Sequence, residues 1–392
     1  MRVFVIAGEP SGDKLGAALM AGFRSLMPEA EVEFIGVGGP RMEEAGLDSI
    51  FPMDDISIMG LTEILSQYPA LKRRVNEAAE AAIAAQPDVL VTIDLPEFCL
   101  RVAKIVKARS SIRTVHYVAP TVWAWRPGRA AKMAKHIDQV LALLPFEPPY
   151  MQAAGMRCDF VGHPVVTDPV ASEAEAAEFR NRHGLDSAPM LLVLPGSRRS
   201  EVARMGPVFG EVLRAVCAKR PEMRIVVPAA GPVVGMVQAA VADWPGAPLV
   251  LDGAAEGAQA EKRAAFRAGD LALAASGTVS LELAAAGTPM VIAYDMNWLS
   301  RQIIGRMLRV DTVTLVNLVS DTRAVPEFVG KACVPAEIAK AVLALAEAPE
   351  AQAHAMALTM ERLGQGQEPP GIRAARAVLD GLGRSPDNSP ET

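Results

Sequence analysis

Short apolar segments alternate with longer segments of mixed polarity along most of the chain, and this pattern predicts strands that alternate with helices. In the first half the predicted strands are Val3–Ala7, Glu33–Val37, Val89–Ile93, Thr114–Val118 and Val140–Leu144. In the second half they are a strand from Leu191, then Arg224–Val227, Leu249–Leu251, Leu271–Ala274 and Met290–Ala293. Such alternation is typical of parallel sheets with right-handed crossovers, so we predict an α/β fold.

One arrangement occurs twice. Residues 2–19 and residues 191–209 each consist of an apolar strand, a turn of small residues and a helix start. A turn of this kind directs backbone N–H groups at whatever lies above it, and the helix dipole favours negative charge there. At 392 residues the chain is long enough for two domains. We therefore predict twin α/β domains that face a cleft of phosphate size, with a boundary near residues 165–185.

The amino-acid composition and net charge argue against several classes of protein. The net charge of −6 argues against general nucleic-acid binding. The four cysteines are widely spaced and form no C-x-x-C pair, so we expect no zinc site, no disulfide framework and a reducing cytoplasm. The N-terminus lacks the apolar core of a signal peptide. The uncharged run Ile225 to Ala242 contains two prolines and two glycines, so we do not read it as a membrane span.

Two turns in the second half are candidates for phosphate binding. Gly196 permits a tight turn, Ser197 adds a hydroxyl and an N–H group, and Arg198 is able to hold phosphate oxygens. An ordinary turn with surface arginines explains the same residues. The segment Ser276-Gly277-Thr278 also joins a strand to a helix, and Glu282 follows one turn later on the same face. A carboxylate there is able to accept hydrogen bonds from a ribose, or it complements the helix dipole.

Asp94 is the candidate for proton transfer in the first half. It lies at the end of a buried strand, where open α/β sheets bind ligands, and Pro96 restricts the loop that follows. A carboxylate in this position can act as a general base. The alternative is that Asp94 caps the next helix.

Two further segments allow more than one interpretation. Trp123 and Trp125 precede Arg126, Arg129, Lys132 and Lys135, which suits a stacking platform for nucleic acid, a membrane-interface patch, or a loop of packed rings. Residues 56–74 form an apolar stripe that ends in three cations, which suits either a lipid surface or an amphipathic core helix. No D-x-D motif and no histidine pair with ligand spacing occurs, so we predict no metal and no cofactor.

Several segments together resemble one family, the lipid-A-disaccharide synthases. They are Ala7–Asp13, Gly36–Met42, Met59–Glu63, Tyr117–Arg126, Leu144–Glu147, Gly162–Pro164, Leu194–Arg198 and Ala275–Glu282, and they occur in the family's order. The similarity extends from about residue 2 to about residue 375. The Trp-Ala-Trp-Arg segment is the most specific part, since glycine-rich turns are common to many folds.

The resemblance implies a GT-B architecture with two Rossmann-like domains whose parallel sheets face an interdomain cleft. The parts it implies are an N-terminal acceptor and membrane-facing domain 1–168, a UDP-sugar-binding domain 169–345, a helical segment 346–380 that returns to the first domain, and a disordered tail 381–392. The implied reaction is an inverting, metal-independent transfer from UDP-2,3-diacylglucosamine to 2,3-diacylglucosamine 1-phosphate (lipid X). The product is a β-1,6 disaccharide, and UDP leaves.

Carried over residue by residue, the resemblance gives Asp94 the role of catalytic carboxylate and places Ser11 and Gly12 on the acceptor side. The residues it implies for nucleotide-sugar binding are Gly196, Ser197, Arg198, Ser276, Gly277, Thr278, Glu282 and Asn317. It also implies peripheral association with the cytoplasmic face of the inner membrane, with contact through Ile58, Leu61, Ile64, Leu65, Tyr68 and Leu71.

The chain departs from the family pattern in two places. Val316 stands where members carry proline before Asn317, and Val329-Gly330-Lys331 replace a segment that contains glutamine. Two other functions remain open at this point, a GT-B enzyme such as a UDP-sugar 2-epimerase and a non-catalytic nucleotide-sugar-binding protein. We expect no nucleic-acid partner, and the sequence leaves open whether the chain forms a homodimer.

Overall fold

The computed structural model describes residues 1–57, 61–126, 128–185, 187–296 and 310–384, with residues 61–68 described only by their place in a helix. Contacts divide the chain into two compact units. Unit 1 comprises residues 1–167 and the chain from Gly366 onward, and unit 2 comprises residues 168–365.

The described residues of unit 1 form a seven-stranded parallel sheet in the order β3-β2-β1-β4-β5-β6-β7. The strands are β1 (Arg2–Ala7), β2 (Glu33–Val37), β3 (Leu47–Ser49), β4 (Val89–Ile93), β5 (Arg113–Tyr117), β6 (Gln139–Ala142) and β7 (Arg157–Phe160). The helices are α1 (Pro10–Leu26), α2 (Pro40–Glu44), α3 (Leu61–Ala85), α4 (Pro96–Arg109), α5 (Gly128–Met133) and α6 (Pro148–Gln152). Ala7 pairs with Ile93, so β1 and β4 end side by side at the point where the strand order reverses.

Helices cover both faces of this sheet, which explains why its central strands are apolar throughout. In β1, Val3, Val5 and Ala7 pack into a cluster with α1 and the C-terminal helix. Phe4 and Ile6 point the other way, into a cluster with α3 and α4. Side chains of a strand alternate between the faces, so a strand buried on both faces needs apolar residues at every position.

Unit 2 has the same architecture as unit 1, a parallel sheet with helices between its strands. Its described strands form a parallel sheet in the order β10-β9-β8-β11-β12-β13. They are β8 (Met190–Leu194), β9 (Arg224–Ala229), β10 (Leu249–Asp252), β11 (Leu271–Ala275), β12 (Met290–Tyr294) and β13 (Glu327–Val329). The helices described between residues 168 and 365 are α7 (Glu173–Arg182), α8 (Arg199–Lys219), α9 (Val234–Val241), α10 (Ala258–Ala268), α11 (Val279–Ala286), α12 (Leu315–Ser320), α13 (Pro335–Glu347) and α14 (Ala353–Arg362). The order reverses between β8 and β11.

The predicted α/β class with two parallel, Rossmann-like sheets is confirmed. The strands that the sequence analysis did not predict are short and peripheral. β3 and β13 have three residues each and lie at sheet edges, and β7 has four residues at the other edge of unit 1. Edge strands bury fewer side chains, so their apolar pattern is weak.

The C-terminal part of the chain differs from the expected helical segment 346–380. Helices α13 and α14 both belong to unit 2, and the chain enters unit 1 only from Gly366. A break at Pro349 separates α13 from α14, because proline cannot continue a helix at that point. Helix α15 (Pro370–Gly381) then packs on α1 within unit 1. Residues 385–392 of the predicted disordered tail lie outside the described residues.

Two glycines allow α1 and α15 to touch through their backbones. A Cβ atom added at Gly371 would lie 2.4 Å from the carbonyl oxygen of Ala18. A Cβ atom added at Gly22 would lie 2.3 Å from the carbonyl oxygen of Gly371. Both distances are far below van der Waals contact with backbone atoms that cannot rotate away. Any side chain at these positions therefore pushes the helices apart.

We predict that Gly371→Ala destabilises unit 1 by about 1–3 kcal/mol, the usual cost of overpacking a close-packed contact. The measurement is the shift of the urea unfolding midpoint. The control is Gly235→Ala in α9, where an added Cβ atom meets no atom within 4 Å. Equal midpoints for the two variants would contradict the close helix crossing.

Candidate functional site

A cavity of about 660 Å³ opens at the carboxyl edge of the unit 2 sheet. Its walls are the ends of the four strands β8, β9, β10 and β11 together with the starts of α8, α10 and α11. The cavity lies at the strand-order reversal between β8 and β11, which is where open α/β sheets bind ligands. Its volume lies within the range that small-molecule sites occupy.

The turn between β11 and α11 presents its backbone to this cavity. No acceptor among the described residues is hydrogen-bonded to the N–H group of Gly277 or of Thr278. A Cβ atom added at Gly277 would meet no atom within 4 Å, so the space above the turn is open. Thr278 precedes the first residue of α11 and makes no side-chain cap. Ser276, Gly277 and Thr278 thus offer N–H groups and the positive end of a helix to an anion.

The turn after β8, which contains Gly196–Arg198, is arranged differently. All three residues line the cavity. However, Glu201 already accepts hydrogen bonds from the N–H groups of Ser197 (3.0 Å) and Arg198 (3.3 Å) through one carboxylate oxygen. The two N–H groups are therefore paired within the protein. The Arg198 side chain is 69% exposed and remains able to reach a ligand.

Glu282 lines the cavity as predicted, and the structure adds a partner that the sequence analysis missed. The Lys262 ammonium donates to Glu282 Oε2 at 2.6 Å. Lys262 and Gln259 both lie on α10 and line the same cavity. Nothing in the local sequence of α10 marks these residues, because they come close to Glu282 only when α10 packs on α11.

Asn317 is not among the residues that line this cavity, and its assignment to nucleotide-sugar binding stays a prediction. Its side chain is buried, with 1% exposure. The amide donates to the carbonyl of Val325 at 2.9 Å and accepts from the Val325 N–H at 3.0 Å. This pair of bonds closes the loop between α12 and β13, so Asn317 stabilises that loop. Gly330 follows with a φ of 62°, a conformation that favours glycine at this departure from the family pattern.

In unit 1, Asp94 lies directly after β4, at the reversal point of that sheet. Its N–H donates to the carbonyl of Tyr117 at 2.9 Å. Asp94 and Leu95 adopt φ values of 50° and 40°, a left-handed conformation that is uncommon for such residues. Partial burial raises the pKa of the Asp94 carboxyl. Backbone strain combined with a raised pKa is typical of functional positions.

Ser11 and Gly12 belong to the first turn of α1, next to this point. A Cβ atom added at Gly12 would lie 3.7 Å from the carbonyl oxygen of Ile93, so the start of α1 touches the end of β4. Ser11 is exposed beside it. Asp13, by contrast, is buried and accepts hydrogen bonds from the N–H groups of Gly39, Arg41 and Met42. The acidic residue of this segment therefore holds the loop before α2.

The tryptophan segment forms a loop of packed rings, one of the three interpretations above. Trp123 is buried, packs edge-on against Phe146 at 5.2 Å and donates to Glu147 at 3.4 Å. Burial raises the pKa of Glu147 to about 7. Trp125 donates to the Thr121 hydroxyl at 3.0 Å. The Arg126 guanidinium lies 4.4 Å from the Trp125 ring centre, so the two side chains stack on each other.

The predicted membrane stripe is only partly within the described part of the chain. Ile58 and the side chains of Leu61, Ile64, Leu65 and Tyr68 lie outside the described residues. Leu71 is buried in the core against α4, so it is not part of an exposed stripe. Helices described in either unit are too short or too polar to cross a bilayer. In the same residues no three His, Cys, Asp or Glu side chains form a group suited to a metal ion.

Comparisons with known proteins agree with the geometry. The family model described as "Lipid-A-disaccharide synthetase" matches residues 3–376. A lipid-A-disaccharide synthase from Ruegeria pomeroyi is 63% identical over 385 residues, covering 97% of this chain and 96% of the relative. One from Rhodospirillum centenum is 48% identical over 383 residues, covering 96% and 94%.

Solved structures share the fold at low identity. The UDP-GlcNAc 2-epimerase from Neisseria meningitidis, solved with UDP-GlcNAc bound, gives a TM-score of 0.62 at 11% identity, covering 98% of this chain and 100% of that chain. MurG from Acinetobacter baumannii gives a TM-score of 0.55 at 14% identity, covering 98% and 99%.

The two Rossmann-like sheets and the cavity at the unit 2 reversal point define a protein of the GT-B class. Fold likeness alone does not separate transferases from epimerases, since both kinds of enzyme share it. Sequence identity over both units does separate them. This chain belongs to the lipid-A-disaccharide synthase family.

We predict that Asn317→Ala lowers stability without changing UDP affinity, because it removes two buried hydrogen bonds to Val325. Each buried group left unpaired costs about 1–3 kcal/mol. Urea unfolding and titration calorimetry with UDP measure the two effects. Asn181→Ala, an exposed position on α7, is the control and should change stability by about 0.5 kcal/mol or less. Weaker UDP binding at unchanged stability would instead support the assignment of Asn317 to nucleotide-sugar binding.

Proposed function

We propose that this chain transfers a diacylglucosaminyl group from UDP-2,3-diacylglucosamine to the 6-hydroxyl of lipid X. The products are the β-1,6 disaccharide 1-phosphate and UDP. The observation that carries the proposal is the unit 2 cavity, where the 276–278 turn and Glu282 lie at the strand reversal of a chain that matches the family over both units. These residues suit a nucleoside diphosphate with its sugar.

The donor is held mainly by the second turn. Its diphosphate lies over Ser276, Gly277 and Thr278, whose N–H groups and helix dipole stabilise negative charge. The exposed Arg198 side chain supplies a positive charge from the other side of the cavity. Glu282 accepts hydrogen bonds from the ribose, and its ion pair with Lys262 fixes the carboxylate in place. N–H groups and Arg198 together neutralise the leaving UDP without a metal ion.

Asp94 acts as the general base. It removes the proton from the 6-hydroxyl of the acceptor as that oxygen forms a bond to the anomeric carbon of the donor. The bond from the anomeric carbon to the diphosphate breaks at the same time, and its electron pair leaves with UDP. A single displacement of this kind inverts the anomeric carbon. The raised pKa of Asp94 makes it a stronger base than an exposed aspartate.

An assay with both acylated sugars tests the reaction directly. We expect UDP and disaccharide to appear together, and both to form in the presence of a chelator. UDP without disaccharide, or a change at carbon 2 of the donor sugar, would favour the epimerase alternative. UDP binding without turnover would favour a non-catalytic nucleotide-sugar-binding protein.

We also propose that unit 1 binds the cytoplasmic face of the inner membrane. A groove of about 460 Å³ lies between α3 and α4. It is lined by four cationic side chains, Lys72, Arg101, Lys104 and Arg109, beside the apolar Val75 and Ile105. Cations next to apolar groups suit anionic headgroups. Whether the chain is a homodimer stays a prediction, and light scattering measures it.

We predict that Asp94→Asn lowers turnover about 10²-fold or more, the scale of lost general-base catalysis, and leaves UDP affinity unchanged. In the wild type, Asp94 becomes protonated and stops acting as a base as pH falls through its raised pKa. The fall of kcat/KM at acid pH should therefore have its midpoint above the ordinary aspartate pKa near 3.8, and it should be absent in the variant. The control is Glu97→Gln. Glu97 is a carboxylate three residues after Asp94, and it forms ion pairs with Arg129 and Arg101. Wild-type turnover in Asp94→Asn would remove this residue from the mechanism.

We predict that the double variant Lys72→Glu/Lys104→Glu binds phosphatidylglycerol vesicles about tenfold more weakly or worse, since each basic residue near an anionic surface contributes about 1 kcal/mol. Vesicle sedimentation at low salt measures the effect. Phosphatidylcholine vesicles and the exposed Lys340→Glu of unit 2 are the controls. Equal binding by the double variant and the wild type would contradict this surface.

A further inference from the structure

Three carboxylates that line the donor cavity have no role in the proposed mechanism, Glu201, Asp252 and Glu261, and Glu201 is the one that faces the β8–α8 turn. It lies in the first turn of α8 with a side chain only 14% exposed, and it lines the cavity. Its Oε2 atom accepts from the N–H groups of Ser197 and Arg198 at 3.0 and 3.3 Å. Its Oε1 atom lies 3.6 Å from the Arg198 guanidinium. A negative oxygen thus occupies the position where an anion would meet this turn.

The Glu201 side chain packs tightly against the backbone of Gly196 in this turn. Gly196 has a φ of 124°, which favours glycine. A Cβ atom added at Gly196 would lie 2.5 Å from Glu201 Cβ and 2.6 Å from its Oε2. The missing side chain of Gly196 therefore makes room for the Glu201 side chain itself. The glycine of this turn admits an internal carboxylate, not a ligand phosphate.

The other turn of the cavity has no such occupant. The N–H groups of Gly277 and Thr278 have no hydrogen-bond acceptor among the described residues, and the space above Gly277 is open. A diphosphate in the cavity thus meets one turn whose N–H groups are filled by a negative charge and one turn whose N–H groups are available. Repulsion from Glu201 and attraction by the second turn act in the same direction.

We propose that Glu201 is an internal anion that occupies the phosphate position of the β8–α8 turn and thereby directs the donor diphosphate to the 276–278 turn. Glu201 is a positioning residue, since it acts through the turn and through charge, without contact to the reacting atoms. The inference rests on the proposed donor cavity. It predicts that removing the carboxylate improves phosphate binding, which is the opposite of what loss of a merely structural cap would do.

The test is titration calorimetry of the full chain with inorganic pyrophosphate and with UDP at 0.15 M salt. Glu201→Ala frees two N–H groups and removes one negative charge, so we expect pyrophosphate to bind about fivefold more tightly or better. Glu201→Gln keeps an oxygen to cap the turn and loses only the charge, so we expect a smaller gain. Circular dichroism checks the fold, and the Gln variant decides the question if the Ala variant does not fold.

The matched control is Glu211→Gln. Glu211 is an exposed carboxylate on the same helix, it is not among the residues that line the cavity, and it lies about 15 Å from Glu201 along the axis of α8. This variant changes the net charge by the same amount without freeing the turn. We expect less than a twofold change, because this distance exceeds the screening length at this salt.

The outcomes separate the inference from the function on which it rests. Unchanged or weaker pyrophosphate binding in folded Glu201 variants, with normal UDP binding by the wild type, would overturn the inference alone. An equal gain in Glu211→Gln would also overturn it, because general charge would then explain the effect. Absence of UDP binding by the wild type would instead contradict the proposed donor cavity.

Discussion

The rest of this molecule depends on one constraint: in each unit, parallel strands pair on both sides of the first strand, which is β1 in unit 1 and β8 in unit 2. In a parallel sheet every strand ends at the same edge, and the chain must leave that edge through a turn. Where the strand order reverses, neighbouring connections run in opposite directions and a crevice opens between them. In unit 1 the reversal lies between β1 and β4, and in unit 2 between β8 and β11. Both candidate centres lie at these two points.

Loops and turns contain backbone N–H groups that need partners, and the protein supplies its own carboxylates for several of them. Asp13 accepts from the loop before α2, and Glu201 accepts from the turn after β8. Glu327 accepts from the N–H groups of Val313 and Thr314. In each case the carboxylate replaces water as the acceptor, so burying the N–H group carries little free-energy penalty. The hydrogen bond also fixes the conformation of the loop. The turn at residues 276–278 differs, since it keeps available N–H groups beside a cavity. This difference is the basis of the proposal that the 276–278 turn binds the donor diphosphate.

Much of the fold and part of the site could be predicted from the sequence. Buried central strands such as β1 and β4 are apolar at every position, so the pattern shows them clearly. Asp94 and Ser276–Thr278 follow such strands directly, and Glu282 lies in the first turn of the helix after them, so their positions at the sheet edge could be predicted for the same reason. The hydrogen bonds of Asn317 to Val325 could not be predicted, because a polar side chain suggests a ligand as readily as a backbone partner. Leu71 belongs to the core because α4 packs against it, and the local sequence around Leu71 does not show this packing.

The account's central claim is that UDP binds in unit 2 at the turn left open between β11 and α11. Hydrogen–deuterium exchange with and without UDP tests it most directly, because amides that donate to phosphate exchange more slowly. We expect UDP to protect the amides of residues 276–282 strongly and those of Ser197 and Arg198 little, since Glu201 already holds the latter two. Protection confined to unit 1, at the ends of β1 and β4, would contradict the claim.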